Sequence, residues 1–416
     1  MTTDSWLDDT VDAVELFDPD ELKDTVLGDI RDPFPTFAEA RARGAVVRGM
    51  VGLPEGAEES IGAEDAPEVF SVVGHDAVQQ VLFDHETFSS TVYSDVMGMV
   101  MGRTMLEMDE PEHRLYRGLV SVAFRQKVLA RWERDLVRVV VDDLIDKFAG
   151  RGHAELVREL TFHFPAQVIA RILGLPRHDF PKFQRWSIEL ISVSANWDRG
   201  IAASQALKEY FSEVLADRRK HPKDDLISDL AQAEVDGHTL DDESIYAFLR
   251  LLLPAGVETT YRASGNLLFG LLTNPDQLEA VKNDRNLVGP AFEETLRWEP
   301  PLTFIMRVAA KDTELAGVAI PKGSVLSVGV AAAGRDPSRY PDPDRFDLFR
   351  NPQPHVSFGF GPHMCIGMHL ARMEARVALE AVLDRLPNVR LDPGDSDPHI
   401  HGMAFRSPTS LPVRFG

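Results

Sequence analysis

The chain has 416 residues, 44% hydrophobic and 26% charged, which excludes a disordered, collagenous or coiled-coil protein and leaves ample apolar side chain for a large core. Acidic residues outnumber basic ones 66 to 44, a formal net charge of −22, and this disfavours broad nucleic-acid binding. No run of about 18 apolar residues and no basic-then-apolar leader occurs, so no membrane span is expected, and a single cysteine, Cys365, rules out an intrachain disulfide. The cytoplasm is the expected compartment.

The acidity is mostly N-terminal, because the first 70 residues hold 18 Asp and Glu against 5 Lys and Arg. Residues 1–30 read as an acidic N-terminal segment. The Gly/Pro-containing stretch 49–68 reads as an acidic solvated loop between short strands at 46–48 and 69–73. Amphipathic periodicity predicts helices near 125–149, 154–174, 200–220 and 241–272, separated by breakers such as Leu175-Pro176 and His221-Pro222. After residue 300 the pattern changes to short β-branched pieces (318–320 and 324–330) and Pro-Asp turns, with one further helix after Gly367. No repeat or linker divides the chain, so residues 1–416 are read as one domain, mainly α with small β-sheets.

The chemistry centres on Phe358-Gly359-Phe360-Gly361-Pro362-His363-Met364-Cys365-Ile366-Gly367, directly before a strongly helical run. Glycines at 359, 361 and 367 allow tight turns and close approach to a flat ligand, and a helix start offers N–H donors and a positive dipole end to the sulfur. Both conditions favour a thiolate. A zinc site of His355, His363, Cys365 and His369 is the alternative, although structural zinc loops use paired ligands. A second unusual segment interrupts the apolar helix 241–272 with Pro254-Ala255-Gly256-Val257-Glu258-Thr259. Pro254 predicts a kink, and an acid beside a hydroxyl in an apolar helix suggests water and proton handling.

The Phe-x-x-Gly-x-His-x-Cys-x-Gly segment resembles the haem-binding loop of the cytochrome P450 monooxygenases, and the other landmarks of that family follow in family order over roughly residues 30–416. The resemblance implies the P450 fold, a triangular prism with haem b between the long central helix and the helix that follows the cysteine loop. It makes Cys365 the axial thiolate on the iron, with Phe358, Gly359 and Gly367 shaping its loop. It places Ala255 and Gly256 against the haem, Gly256 admitting dioxygen, and gives Thr259 and Glu258 the catalytic handling of protons, the acid being connected to solvent. His113, Arg117, Arg307 and His355 are the implied partners of the haem propionates. Glu294, Arg297 and Arg345 are the implied buried structural triad.

The same resemblance implies insertion of one oxygen atom from O2 into a small to medium apolar molecule. Electrons would come from an external acidic ferredoxin or flavodoxin-type carrier plus its reductase. Met97, Met101, Val257, Leu302, Phe304 and Phe405 are the implied pocket residues. Residues 114–134 carry six Lys and Arg against one Glu, a basic contrast that would attract an acidic electron carrier. A peroxide-driven haem peroxygenase, which would not need Glu258 and Thr259, and a non-catalytic haem carrier or sensor are the alternatives.

Overall fold

The computed structural model describes residues 29–52, 67–191, 193, 196–392, 394 and 397–416. Residues 1–28, and 53–66 of the acidic loop, therefore lie outside the described residues. The elements that position the site are, in chain order, α1 (Phe34–Arg43), β1 (Val46–Arg48), β2 (Val69–Val72), α2 (His75–Phe83), β3 (Phe88–Ser89), α3 (Ser94–Met101) and α4 (Glu112–Ser121). They continue with α5 (Trp197–Lys220), α6 (Asp242–Leu253), α7 (Thr259–Leu272), α8 (Val288–Trp298), β4 (Ile305–Ala309), β5 (Val325–Val328), α9 (Met368–Arg385), β6 (Ile400–His401) and β7 (Ser407–Pro408).

The main sheet has the order β1-β2-β5-β4-β3. β2 and β5 are parallel, with Phe70 opposite Leu326, and the other pairings are antiparallel. Side chains from β2, α2, β4 and β5 form a satellite core around Phe70, Val78 and Leu326. The larger core runs from α3 to the C-terminus and surrounds the central helix. The helical pattern near 125–149 resolves into two α-helices joined by a π turn at Glu133–Val137.

The central helix starts where Asp241 accepts a hydrogen bond from the Ser244 amide (2.7 Å), a side-chain N-cap. Every residue from Ile245 to Leu253 is buried. Pro254 lacks an amide proton, and the helix widens to a π turn over Pro254–Glu258 before α7 resumes. Both Pro254 and the adjacent widening are thus realised at one point of one helix. Among the described residues, no helix is long and apolar enough to cross a membrane.

Behind the cysteine loop, Arg297 of α8 makes a two-pronged bond to Glu294 (2.8 and 2.7 Å). It also donates to the carbonyls of Gly334 (2.8 Å), Pro343 (2.7 Å) and Arg345 (3.0 Å). The second guanidinium on Glu294 belongs to Arg350, at 3.3 Å. This corrects the expected triad: Arg345 contributes its backbone carbonyl while its side chain is exposed, because the turn after Pro343 carries the Arg345 side chain outward and brings Arg350 back. Gly334 is required here, since a Cβ would lie 2.2 Å from the Arg297 carbonyl oxygen.

Truncating one member of a buried ion pair leaves the other charge uncompensated, at a cost of about 3–5 kcal/mol. Arg297→Ala should therefore lower the urea midpoint sharply and Arg350→Ala by less. Arg345→Ala should stay within about 0.5 kcal/mol of the parent, and a large loss at Arg345 would reverse this assignment.

Candidate functional site: a cysteine loop and a widened helix

The cysteine loop is held by its own backbone and by its neighbours. The Cys365 amide donates to the Phe358 carbonyl (2.7 Å). Gly359 and Gly361 adopt φ of 75° and 73°, a region open to glycine without penalty. At Gly361 a Cβ would also meet the Leu82 carbonyl oxygen at 2.7 Å, so α2 packs directly on the loop. On the other side Arg117 of α4 donates to the Met364 carbonyl (2.6 Å). Gly367 has ordinary φ, and its missing side chain leaves the space beside the sulfur open. Cys365 is exposed at the loop surface, yet the protein packed around it pushes its thiol up by desolvation; the Gly367 amide donating to sulfur and the positive Arg117 and Arg372 pull against that.

A brace lies behind the loop. Glu293 receives Arg372 Nε (2.7 Å) and Nη2 (2.9 Å) and His355 Nε2 (3.1 Å). Burial raises the Glu293 carboxyl, yet these partners win and bring it to about 2. The Arg372 guanidinium lies 4.6 Å from the Phe358 ring centroid, fixing that ring. His355 consequently does not join the anion cluster expected of it: its Nδ1 accepts from the Ser357 amide (3.2 Å) and its Nε2 is engaged by Glu293, so neither nitrogen is free.

The residue that takes its place is His363, two positions before the cysteine. Its ring lies 4.0 Å from that of His113, and its Nε2 is 3.2 Å from the Ser90 hydroxyl. Burial first, then the neighbouring His113, Arg307 and Arg117, depress His363 to about 3. His113 is likewise lowered by burial, with Glu110 opposing, and its Nε2 is buried without a partner. Arg307 is buried and, among the described residues, hydrogen-bonds only to the Met306 carbonyl (2.8 Å). The part of the His363 effect that comes from the Arg307 and Arg117 charges favours an anion in the same place. These residues fit the two carboxylates of a haem.

The second feature is the widened turn of the central helix. Ala255 is exposed and Thr259 partly so, directly after a helical run in which every residue from Ile245 to Leu253 is buried. The Thr259 hydroxyl donates to the Ala255 carbonyl (2.7 Å), which closes the turn. Gly256 does not face this opening: a Cβ there would lie 3.3 Å from Ile169 Cδ1, so its smallness serves helix packing. Glu258 is buried against Arg262 (3.0 Å), which also donates to Ser407 of β7 (3.1 Å). Burial raises the Glu258 carboxyl and Arg262 opposes it. The expected connection of this acid to solvent is thus replaced by a buried ion pair that the helical spacing Glu258/Arg262 would have revealed.

Of the expected pocket residues, Leu302 and Phe405 meet as a β-bridge, and Phe304 and Met97 are half-buried. Val257 and Met101 are 3% exposed and belong to the main core instead. Their places on α3 and the π turn point them between helices. Among the described residues, no group of three or more His, Cys, Asp or Glu side chains is placed to share a metal ion, which removes the zinc alternative.

A thiol on a glycine-shaped loop, an anion-binding cluster beside it and a central helix opened at a π turn define a haem-thiolate protein. The family model "Cytochrome P450" matches residues 177–410. The cytochrome P450 monooxygenase PikC of Streptomyces venezuelae is 36% identical over 403 residues, covering 92% of this chain and 91% of its own. The vitamin D(3) 25-hydroxylase of Pseudonocardia autotrophica is 36% identical over 315 residues, covering 75% and 78%. The crystal structure of CYP109E1 from Bacillus megaterium in complex with testosterone superposes with a TM-score of 0.83 at 30% identity, covering 92% of this chain and 99% of that one. The chain belongs to the cytochrome P450 family, an oxygenase whose cofactor is haem b.

One buried acid was not foreseen. Glu374 of α9 is 1% exposed and hydrogen-bonded to Thr260; Oε1 has no partner, and burial pushes its carboxyl up to about 8. The native protein therefore holds a proton that an unfolded glutamate, at about 4.3, releases. Stability from this group is full below that value and declines as pH rises toward 8. Glu374→Gln should flatten the decline and raise the thermal midpoint relative to the parent at neutral pH; parallel pH profiles for the two proteins would contradict a protonated Glu374.

Proposed function

We propose that the protein is a haem-thiolate monooxygenase that inserts one oxygen atom from O2 into a small to medium apolar substrate, with electrons from an external ferredoxin or flavodoxin-type carrier and its reductase. The observation that carries this reading is the opened turn, where Ala255 is exposed, the Thr259 hydroxyl bonds the Ala255 carbonyl and Glu258 adjoins them in the core. When bound, the haem supplies the activation of dioxygen for transfer to a C–H bond. Cys365 would hold its iron, and His113, His363, Arg117 and Arg307 would hold its propionates. Thr259 holds a hydroxyl proton at the open turn, and Glu258 can exchange one when it separates from Arg262. Neither residue is needed by a peroxide-driven enzyme or a haem carrier, so their arrangement favours the monooxygenase.

The apolar surface of Leu302, Phe304 and Phe405 supports an apolar substrate. The relatives include a vitamin D(3) hydroxylase and a protein crystallised with testosterone, names that are compatible with such a substrate. For the electron carrier, the basic stretch 114–134 narrows to two side chains. Arg114, Arg131 and Arg134 pair with Glu110, Asp224 and Asp135, and Arg117 is committed to the loop. Arg125 and Lys127 are exposed, with no ion pair among the described residues.

Cys365→Ser should abolish the thiolate absorption signature of the reduced, carbon monoxide-bound protein; its survival would refute Cys365 as the ligand. Thr259→Ala should keep that signature but divert electrons from product to peroxide, read as product formed per reduced nicotinamide consumed, and unchanged coupling would remove the proton role. Reversing charge at Arg125 and Lys127 should slow carrier-dependent reduction at low salt more than at high salt. Equal slowing at both would count against electrostatic steering.

A further inference from the structure

Seven arginines are buried among the described residues, and five of them sit at ion-pair distance from a carboxylate. Arg218 has Asp225 at 2.6 Å, Arg262 has Glu258 at 3.0 Å, Arg297 has Glu294 at 2.7 Å, Arg335 has Asp344 at 3.0 Å and Arg406 has Glu299 at 2.9 Å. The two without a carboxylate are Arg307 and Arg250. Arg307 belongs to the cluster that fits the haem carboxylates. Arg250 lies elsewhere, on α6, and is 7% exposed.

Among the described residues its immediate surroundings are neutral. Nε donates to the Tyr246 carbonyl (3.2 Å) and Nη1 to the Ser204 hydroxyl of α5 (3.0 Å). Ser204 in turn donates to the Val100 carbonyl of α3. Nη2 makes no hydrogen bond and lies beside Gly102, where a Cβ would approach it to 3.1 Å. Burial lowers Arg250, and the carboxylate that opposes this, Glu243, is exposed and paired with Lys208 (2.8 Å). A buried guanidinium is costly without an anion. Arg103, the other arginine of this region, is exposed and paired with Glu112, so it does not compete for the role.

We propose that Arg250 binds the carboxylate of an acidic, otherwise apolar substrate. This rests on the monooxygenase reading and narrows its substrate class. One guanidinium with a free edge balances a single negative charge, which suits a carboxylate better than a phosphate dianion. Along the helix Arg250 precedes Ala255 by five residues and Thr259 by nine, a rise of roughly 7 to 14 Å. The oxidised carbon is therefore remote from the acid group, as in a medium-length fatty acid.

The test compares octanoate, decanoate and dodecanoate with their methyl esters on the haem-loaded protein, reading dissociation constants from the shift of the haem absorption band and, independently, the thermal midpoint. At least one acid should bind the parent tenfold or more tightly than its ester. Arg250→Gln, which keeps a neutral donor toward Ser204, should reduce that preference to less than twofold while the carbon monoxide signature stays intact; Arg250→Lys should retain part of it, and Arg103→Gln all of it. Acids no better than esters across the series, or a preference that survives Arg250→Gln, would overturn the proposal. Failure of the monooxygenase reading is separate, because it shows in the thiolate signature and in coupling, whereas the acid preference is measured without turnover.

Discussion

The constraint that organises this protein is a cluster of partly buried cations that its neighbouring acids, Glu110 and Asp109, balance only in part. His113, His363, Arg307 and Arg117 repel one another's protons in a buried corner next to the cysteine loop. Their arrangement is unfavourable by itself and becomes favourable around an anion. A haem, with two carboxylates on one edge and an iron that takes a thiolate, would satisfy the cations and the sulfur together.

That corner depends on connections that run through backbone carbonyls rather than through charge. Arg117 reaches the Met364 carbonyl, α2 presses against Gly361, and Phe358 is sandwiched by the Arg372 guanidinium held on Glu293. Deeper, the Glu294–Arg297 pair gathers the carbonyls of three separate turns. Most of the buried arginines are thus structural, each neutralised by an acid of the chain. The exceptions, Arg307 and Arg250, are the informative ones, because evolution of a stable core gives no reason to leave a guanidinium unpaired.

The central helix shows how local chemistry and packing divide the work. Pro254 removes a hydrogen bond and the helix answers with a π turn, which frees the Ala255 carbonyl for the Thr259 hydroxyl. Those features follow from residue types at known spacing. The surroundings of each side chain do not. Gly256 packs on Ile169 rather than facing the opening, Val257 turns into the core, and Glu258 is neutralised by Arg262, which β7 also holds from a segment distant in the chain.

The sequence by itself determined the fold class, the family, the glycine-shaped setting of Cys365, and the acid and hydroxyl on the central helix, because each is written in local spacing: glycines around one cysteine, or a proline before an acid and a hydroxyl. Tertiary structure alone decided which cations share a site. His355 and His363 are both near Cys365 in sequence, yet Glu293 of α8 captures the first and leaves the second beside His113. Arg345 and Arg350 are likewise close neighbours, and only the course of a turn selects Arg350 for Glu294. Pairing of buried charge is a property of distance through space, and nothing in a single segment records which acid will arrive from elsewhere in the chain.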